Sequence, residues 1–323
     1  MSVTKPILIA AAEPNSIFLE LLFKAQITKI KSPIILIVSQ KIFELQMKKM
    51  KYFIKYKILR FDDILKKNFD NKQINIINID YDNNNKAFQK INNKSNIYIQ
   101  KSIDLAIKII NYGITNKFIN GPISKKYFLN KKYLGITEYL AQKTNSKNVA
   151  MLIYNNTLSV SPITTHLPIK FVSKLITKKL IINKITILKN FYENVLKIKP
   201  IIGLTGINPH CETIDNFNED EKIIKPCIRI LKKKGIKITG PLPADTIFLK
   251  NNRKKFNLIV GMYHDQVLAP MKTLFEYDAI NLTVGLPFIR ISPDHGPNEK
   301  MMGKNLSDPK SLINALIFLD KNV

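Results

Sequence analysis

Several features are scarce in this sequence of 323 residues, and each scarcity excludes a class of protein. Two cysteines, Cys211 and Cys227, cannot build the disulfide framework of a small secreted domain. They suit a reducing cytosol, so a cytoplasmic location is expected. No uninterrupted apolar run approaches the ~18 residues that a membrane-spanning helix needs, so no membrane partner is expected. No GxGxxG occurs, so a dinucleotide would not rest on a Rossmann fingerprint. No GxxxxGK[ST] occurs either, which removes the phosphate-cradling loop of the NTPases. The segment Lys5 to Ala12 has the cation, apolar run and small residues of a signal peptide. Its apolar part is short even for such a peptide, and it reads as a first strand.

Acid is scarce as well. Against 51 Lys+Arg stand 24 Asp+Glu, a formal charge of +27. A nucleic-acid binder gathers its cations on one face. Here Lys48-Lys49, Lys66-Lys67, Lys178-Lys179 and Lys232-Lys233-Lys234 are spread over ordinary helix patterns, in company with abundant Ile and Asn. Lys, Ile and Asn are the residues of A/T-rich codons, so the charge reads as solvated faces, and no nucleic-acid partner is expected. A dispersed positive field still favours encounter with a phosphorylated substrate and an anionic dinucleotide.

The length suits two lobes or one large domain with a proper core. Short apolar runs alternate with helical patterns along the whole chain. Strands are expected near residues 3–12, 34–39, 74–79, 118–123, 200–204, 236–239, 258–262 and 279–286, with a hairpin over 149–162 around Asn155-Asn156. Helices are expected from Ile17, with Asn15 or Ser16 as cap, and over 43–50, 102–112, 171–175, 185–196, 219–232 and 312–319. The Asn/Lys/Asp-rich stretch from Lys66 to Ser95 reads as loops around one strand.

What is present draws attention to four histidines, His166, His210, His264 and His295. The first three each follow a short strand-like segment, in TTHLP, GINPHCE and MYHDQ. Taken singly, each also reads as a hydrogen-bonded core or surface histidine. Together, in a chain that otherwise avoids the residue, they point to one shared site. Neutral imidazole is the commonest protein ligand for zinc and similar metals, and three with an open position make the catalytic kind of site. Cys211, next to His210, reads either as a soft ligand or as a buried thiol. The stretch from Gly261 to Gly296 also carries Lys272, Asn281, Arg290, Asp294 and His295 at or after strand ends, where open α/β sheets place their ligands.

The segments TTHLP, GINPH, GPLPADT (Gly240 to Thr246), MYHDQ and NLTVGLPFIRISPDHG (Asn281 to Gly296) resemble, in this order, the 4-hydroxythreonine-4-phosphate dehydrogenase family of the vitamin B6 pathway. The resemblance implies a two-lobed α/β/α fold of the isocitrate and isopropylmalate dehydrogenase type with a cleft between the lobes. It puts residues 1–125 and 275–323 in one lobe and 126–274 in the other. It implies a homodimer with the active site at the interface. His166, His210 and His264 match the divalent-metal ligands (zinc, magnesium or cobalt), and Thr137, Lys272, Asn281 and Arg290 match substrate-contacting residues. Asp294 and His295 resemble the adenine-side loop of the NAD or NADP site. Asp245 is the candidate proton acceptor or histidine orienter, or else a turn cap. Lys125 follows a turn like the family's TGP-x-x-K and reads either as a phosphate contact or as surface. Three departures stand out. Ile136 replaces the family's substrate-binding histidine, Cys211 to Asn216 replace a glycine-rich loop, and Asn15-Ser16 replace glycines in the first turn.

The implied reaction is oxidation of 4-phosphooxy-L-threonine to a 3-keto acid, which decarboxylates to 3-amino-2-oxopropyl phosphate. A phosphate acyltransferase-like enzyme of the same general fold, or a decayed or nucleic-acid-binding relative without turnover, are the competing readings.

Overall fold

The protein is described from a computed structural model over residues 4–25, 28–129, 133–293 and 295–323. The chain divides into two compact units, one of residues 1–136 with 287–323 and one of residues 137–286. The sequence reading sets the changes of lobe at 125/126 and 274/275; the packing sets them later. Strand β11 (Ile280–Val284) explains the second shift, because it pairs antiparallel with β6 (Ala150–Tyr154) over its whole length.

The first unit carries six parallel strands in the order β3-β4-β2-β1-β5-β12. These are β1 (Ile7–Ala10), β2 (Ile34–Val38), β3 (Tyr56–Ile58), β4 (Ile74–Asn78), β5 (Lys117–Asn120) and β12 (Ile289–Ser292). Strands covered on both faces read as continuous apolar runs, and the Ile-Leu-Ile-Ala of β1 is fully buried. Its helices are α1 (Phe18–Ala25), α2 (Gln40–Lys49), α3 (Phe61–Leu65), α4 (Asn96–Asn111) and α12 (Lys310–Asn322). Helix α4 packs on β1 and β2, and α1 packs on α12. The expected cap of α1 is Ser16, whose Oγ accepts from Phe18 N at 3.3 Å.

Between β1 and α1 the chain turns through Ala12, at φ +60°, into a sealed acid. Glu13 is 2 % exposed; Oε1 accepts from Asn15 N at 3.1 Å, and Oε2 lies 2.9 Å from Ser95 Oγ. That hydroxyl is also 3.1 Å from Asn92 O and has one proton to give. At the shorter of the two distances that proton goes to Glu13, so both carboxyl oxygens accept. Burial pushes Glu13 up to about 7, against the bonds from Asn15 and Ser95, with the nearby Glu299 adding a little.

The second unit has the strand order β11-β6-β7-β10-β8-β9. The expected hairpin is β6 and β7 (Ser159–Thr164), paired antiparallel through Ile153 and Val160. Strands β7, β10 (Leu258–Tyr263), β8 (Ile202–Thr205) and β9 (Ile238–Leu242) run parallel. The helices are α5 (Ile136–Lys143), α6 (Val172–Leu175), α7 (Lys178–Phe191), α8 (Lys225–Lys233), α9 (Ala244–Ile247), α10 (Lys250–Arg253) and α11 (His264–Phe275). Their core gathers Met151, Ile153, Val160, Ile259, Val267 and Met271. Among the described residues no helix is long and apolar enough to cross a membrane.

Candidate active site

Three parallel neighbours, β7, β10 and β8, end side by side, and each leads into a histidine. His166 follows β7, His264 opens α11 directly after β10, and His210 lies on the 3-10 turn Pro209–Cys211 after β8. This is the carboxyl edge of the parallel part of the sheet, where an α/β fold binds its ligands. The rings of His166 and His264 stand 5.5 Å apart, centroid to centroid, at an interplanar angle of 41°. His264 Nδ1 is 2.6 Å from Asp265 Oδ1, so the carboxylate holds the proton on Nδ1 and leaves the Nε2 lone pair available. His210 is exposed, at φ +55°.

The strand ends are laced together by side chains. Thr164 Oγ1, at the end of β7, donates to Met262 O on β10 at 2.8 Å. The Gln266 amide spans β10 and β8. Its Oε1 accepts from Met262 N and from Thr205 Oγ1, each at 2.7 Å, and its Nε2 donates to Gly206 O at 2.8 Å. Beyond Gly206, the fully buried Asp220 carboxylate accepts from Ile207 N at 2.9 Å, Asn208 N at 3.2 Å and Asn208 Nδ2 at 2.9 Å. It therefore fixes the main chain just before His210. Burial, and after it the Asp220 charge, push the Cys211 thiol up.

The remaining candidates are placed as follows. Asp245 is exposed in the first turn of α9, within electrostatic reach of Cys211. The carboxylate on His264 is that of Asp265, its chain neighbour. Thr137 is buried in the first turn of α5, its Oγ1 3.2 Å from Thr283 Oγ1 on β11. Asn281, on β11, keeps Oδ1 buried with no hydrogen-bond partner among the described residues. Such an acceptor costs free energy unless a ligand satisfies it. Lys272, on α11, is half-buried, with Nζ 3.4 Å from Glu276 O and 5.7 Å from the Tyr277 ring centroid, and burial lowers its pKa.

In the first unit, Arg290 on β12 is fully buried and its Nε donates to Asn120 Oδ1 at 2.6 Å. His295 Nδ1 donates to Gly296 O at 3.1 Å, and burial lowers its pKa. Its Nε2 is then a bare acceptor, buried and without a partner among the described residues. Asp294 lies outside the described residues. Lys125 opens a short π-helical turn, and Ile136 is half-buried at the start of α5.

Among the described residues no three His, Cys, Asp or Glu side chains stand close enough to hold a metal ion. The structure brings His166 and His264 together and leaves His210 on the neighbouring strand's loop. The pair itself suits a cation: two imidazoles bound at Zn–N of about 2 Å in tetrahedral geometry put their centroids about 5 Å apart, and 5.5 Å is close to that. Sequence reasoning did not single out Gln266, Asp220 or Asp265. Gln266 stood inside MYHDQ, and its bonding needs the fold to be seen.

Residues 29–318 match the family model described as pyridoxal phosphate biosynthetic protein PdxA. The chain is 41 % identical over 218 residues to 4-hydroxythreonine-4-phosphate dehydrogenase of Sulfurihydrogenibium sp. (strain YO3AOP1), covering 66 % of this chain and 67 % of the relative. It is 35 % identical over 224 residues to the enzyme of that name from Aquifex aeolicus (strain VF5), covering 69 % of each. Among solved structures, a putative 4-hydroxythreonine-4-phosphate dehydrogenase from Salmonella typhimurium superposes with a TM-score of 0.85 at 26 % identity, over 98 % of this chain and 99 % of that one.

Proposed function

Because this chain belongs to the pyridoxal phosphate biosynthetic protein PdxA family, we propose that it oxidises 4-phosphooxy-L-threonine with NAD or NADP. Its activity is that of a 4-hydroxythreonine-4-phosphate dehydrogenase, an oxidoreductase of pyridoxal phosphate biosynthesis. The observation that carries the finer reading is the arrival of His166, His264 and His210 at the ends of three adjacent parallel strands.

The substrate's 3-hydroxyl loses its proton to a base, for which Asp245 is the candidate. The carbon beneath gives hydride to the nicotinamide, and a ketone forms. That carbonyl is β to the carboxylate, so the bond to the carboxylate breaks, carbon dioxide leaves, and its electron pair is taken up as an enol that is reprotonated. His166, His210 and His264 are the residues that would hold a divalent cation (zinc, magnesium or cobalt), which when bound supplies the charge that makes the alcohol acidic. Asp265 keeps His264 in the ligating tautomer. Lys272 and Arg290 take the phosphate or carboxylate, Arg290 with the planar fork suited to two oxygens. Thr137 and the unpartnered Asn281 Oδ1 supply further hydrogen bonds, the latter accepting from the substrate's ammonium. His295 Nε2 accepts from the dinucleotide's adenine, with Asp294 beside it in sequence.

A homodimer is part of the proposal. Ile169, Phe171 and Leu175 after His166, and Ile214 and Phe217 after His210, are all exposed. Large apolar side chains left in water beside functional segments suit a surface that a second copy covers. The deciding experiment measures reduction of NAD and of NADP on adding 4-phosphooxy-L-threonine, with and without cobalt, zinc or magnesium. Substrate-dependent, cation-dependent reduction is expected; no reduction under any combination sinks the proposal.

A further inference from the structure

The amide of Gln266 is the one side chain that bonds to both β10 and β8 at their histidine-bearing ends among the hydrogen bonds described above. Its three bonds divide by function. Two, from Met262 N and Thr205 Oγ1, use the oxygen; the third, to Gly206 O, uses the nitrogen. Met262 lies two residues before His264 in sequence, and Gly206 begins the segment that ends in His210. Room for this contact is made by Gly261, where a Cβ would come 3.0 Å from Gln266 Oε1 and 2.5 Å from Val267 Cγ1. Gly206 is held equally close on its other side, a Cβ there falling 2.6 Å from Asp220 Oδ1. The root of the His210 loop is thus clamped between the Gln266 amide and the Asp220 carboxylate.

We propose that Gln266 is a positioning residue, which sets the reach of His210 relative to His264 and so governs how the site takes a divalent cation. This rests on the cation reading above. The atom that matters is Nε2: only a donor can face the Gly206 carbonyl, and only an acceptor can serve Met262 N and Thr205. An amide supplies both in one plane, which a carboxylate cannot. In Gln266→Glu the acceptor half survives while an oxygen lone pair meets the Gly206 carbonyl, so the tie to the His210 loop breaks and the loop swings away from β10.

The test is a cobalt titration of the metal-free full chain, read by visible absorption, on wild type, Gln266→Glu and Thr205→Val. Thr205→Val removes one Gln266 bond on the β8 side and leaves the Gly206 tie, so it controls for loss of stability alone. Gln266→Glu is expected to bind cobalt about 10- to 100-fold more weakly, with an altered visible spectrum at saturation. Thr205→Val is expected to keep the wild-type affinity and spectrum. Equal affinity and spectrum in Gln266→Glu and wild type would overturn the inference while leaving the cation reading intact. Wild type that binds no cobalt would remove the cation reading and the inference with it. Should Gln266→Glu not fold, Gln266→Met, which loses all three bonds without adding charge, takes its place, with the same loss expected.

Discussion

The two units use the same place, the carboxyl ends of parallel strands, in opposite ways. In the first, the turn after β1 seals its acid: Glu13 is buried, with its two oxygens taken by Asn15 N and Ser95 Oγ. In the second, the ends of β7, β10 and β8 spend neutral polar groups, Thr164, Thr205 and Gln266, on holding the strands, and carry histidines just beyond them. Position on the sheet nominates a site; which groups are consumed internally decides what it can do.

The sharpest break of this comparison is His264→Ala. It removes a proposed ligand and is expected to lower kcat/KM by about 1,000-fold, the equivalent of several kcal/mol of lost charge stabilisation, with little change in thermal stability. Glu13→Gln is expected to do the reverse. For this carboxyl the folded value, about 7, lies above the ordinary value of 4.5. Below the lower value both states are protonated and nothing is lost. Between the two the unfolded chain ionises first, so stability falls as pH rises, by about 1.4 kcal/mol per unit and roughly 3 kcal/mol in all; above about 7 it levels off. Urea unfolding from pH 4 to 8 should show this slope in wild type and not in Glu13→Gln, whose activity is retained. A slope equal in both proteins would mean that Glu13 is an ordinary carboxylate.

Arg290→Lys comes next. Loss of the fork is expected to raise the KM for the phosphorylated substrate about 10- to 100-fold, the range of a charged hydrogen bond, with kcat less affected. The smallest effect belongs to Ile136→His. Restoring the family's donor at the start of α5 is expected to improve kcat/KM by about five- to tenfold, one ordinary hydrogen bond. An unchanged steady-state profile there would mean that other groups already serve that part of the substrate.

Much of this was legible beforehand because it is periodic. The runs at 34–39, 74–79 and 258–262 became β2, β4 and β10, and the Asn155-Asn156 turn joins β6 to β7. What escaped had no period to show. Strand β3 is three residues with none buried, and β12 places a buried arginine inside a strand of four. Segment 192–196 continues α7 as a π-helix, and the first turn of 220–224 is likewise π-helical before α8. At the site, histidines after strands were visible in the sequence, but their bonding was not. Asp265 as the partner of His264, and Gln266 as the bridge from β10 to Gly206, depend on which strands become neighbours, a long-range fact.

The glycines mark where this backbone leaves no room for a side chain. At the first turn Ala12 tolerates a left-handed backbone, and the family's glycines beside it have given way to Asn15-Ser16. At Gly121 no such substitution is open, because a Cβ would sit 2.2 Å from the carbonyl oxygen of Ala11. Gly285 is pinned likewise by the oxygen of Asn148, at 2.3 Å. Where two main chains touch in this way the sequence has no latitude: any side chain at Gly121 or Gly285 would have to push a neighbouring backbone aside.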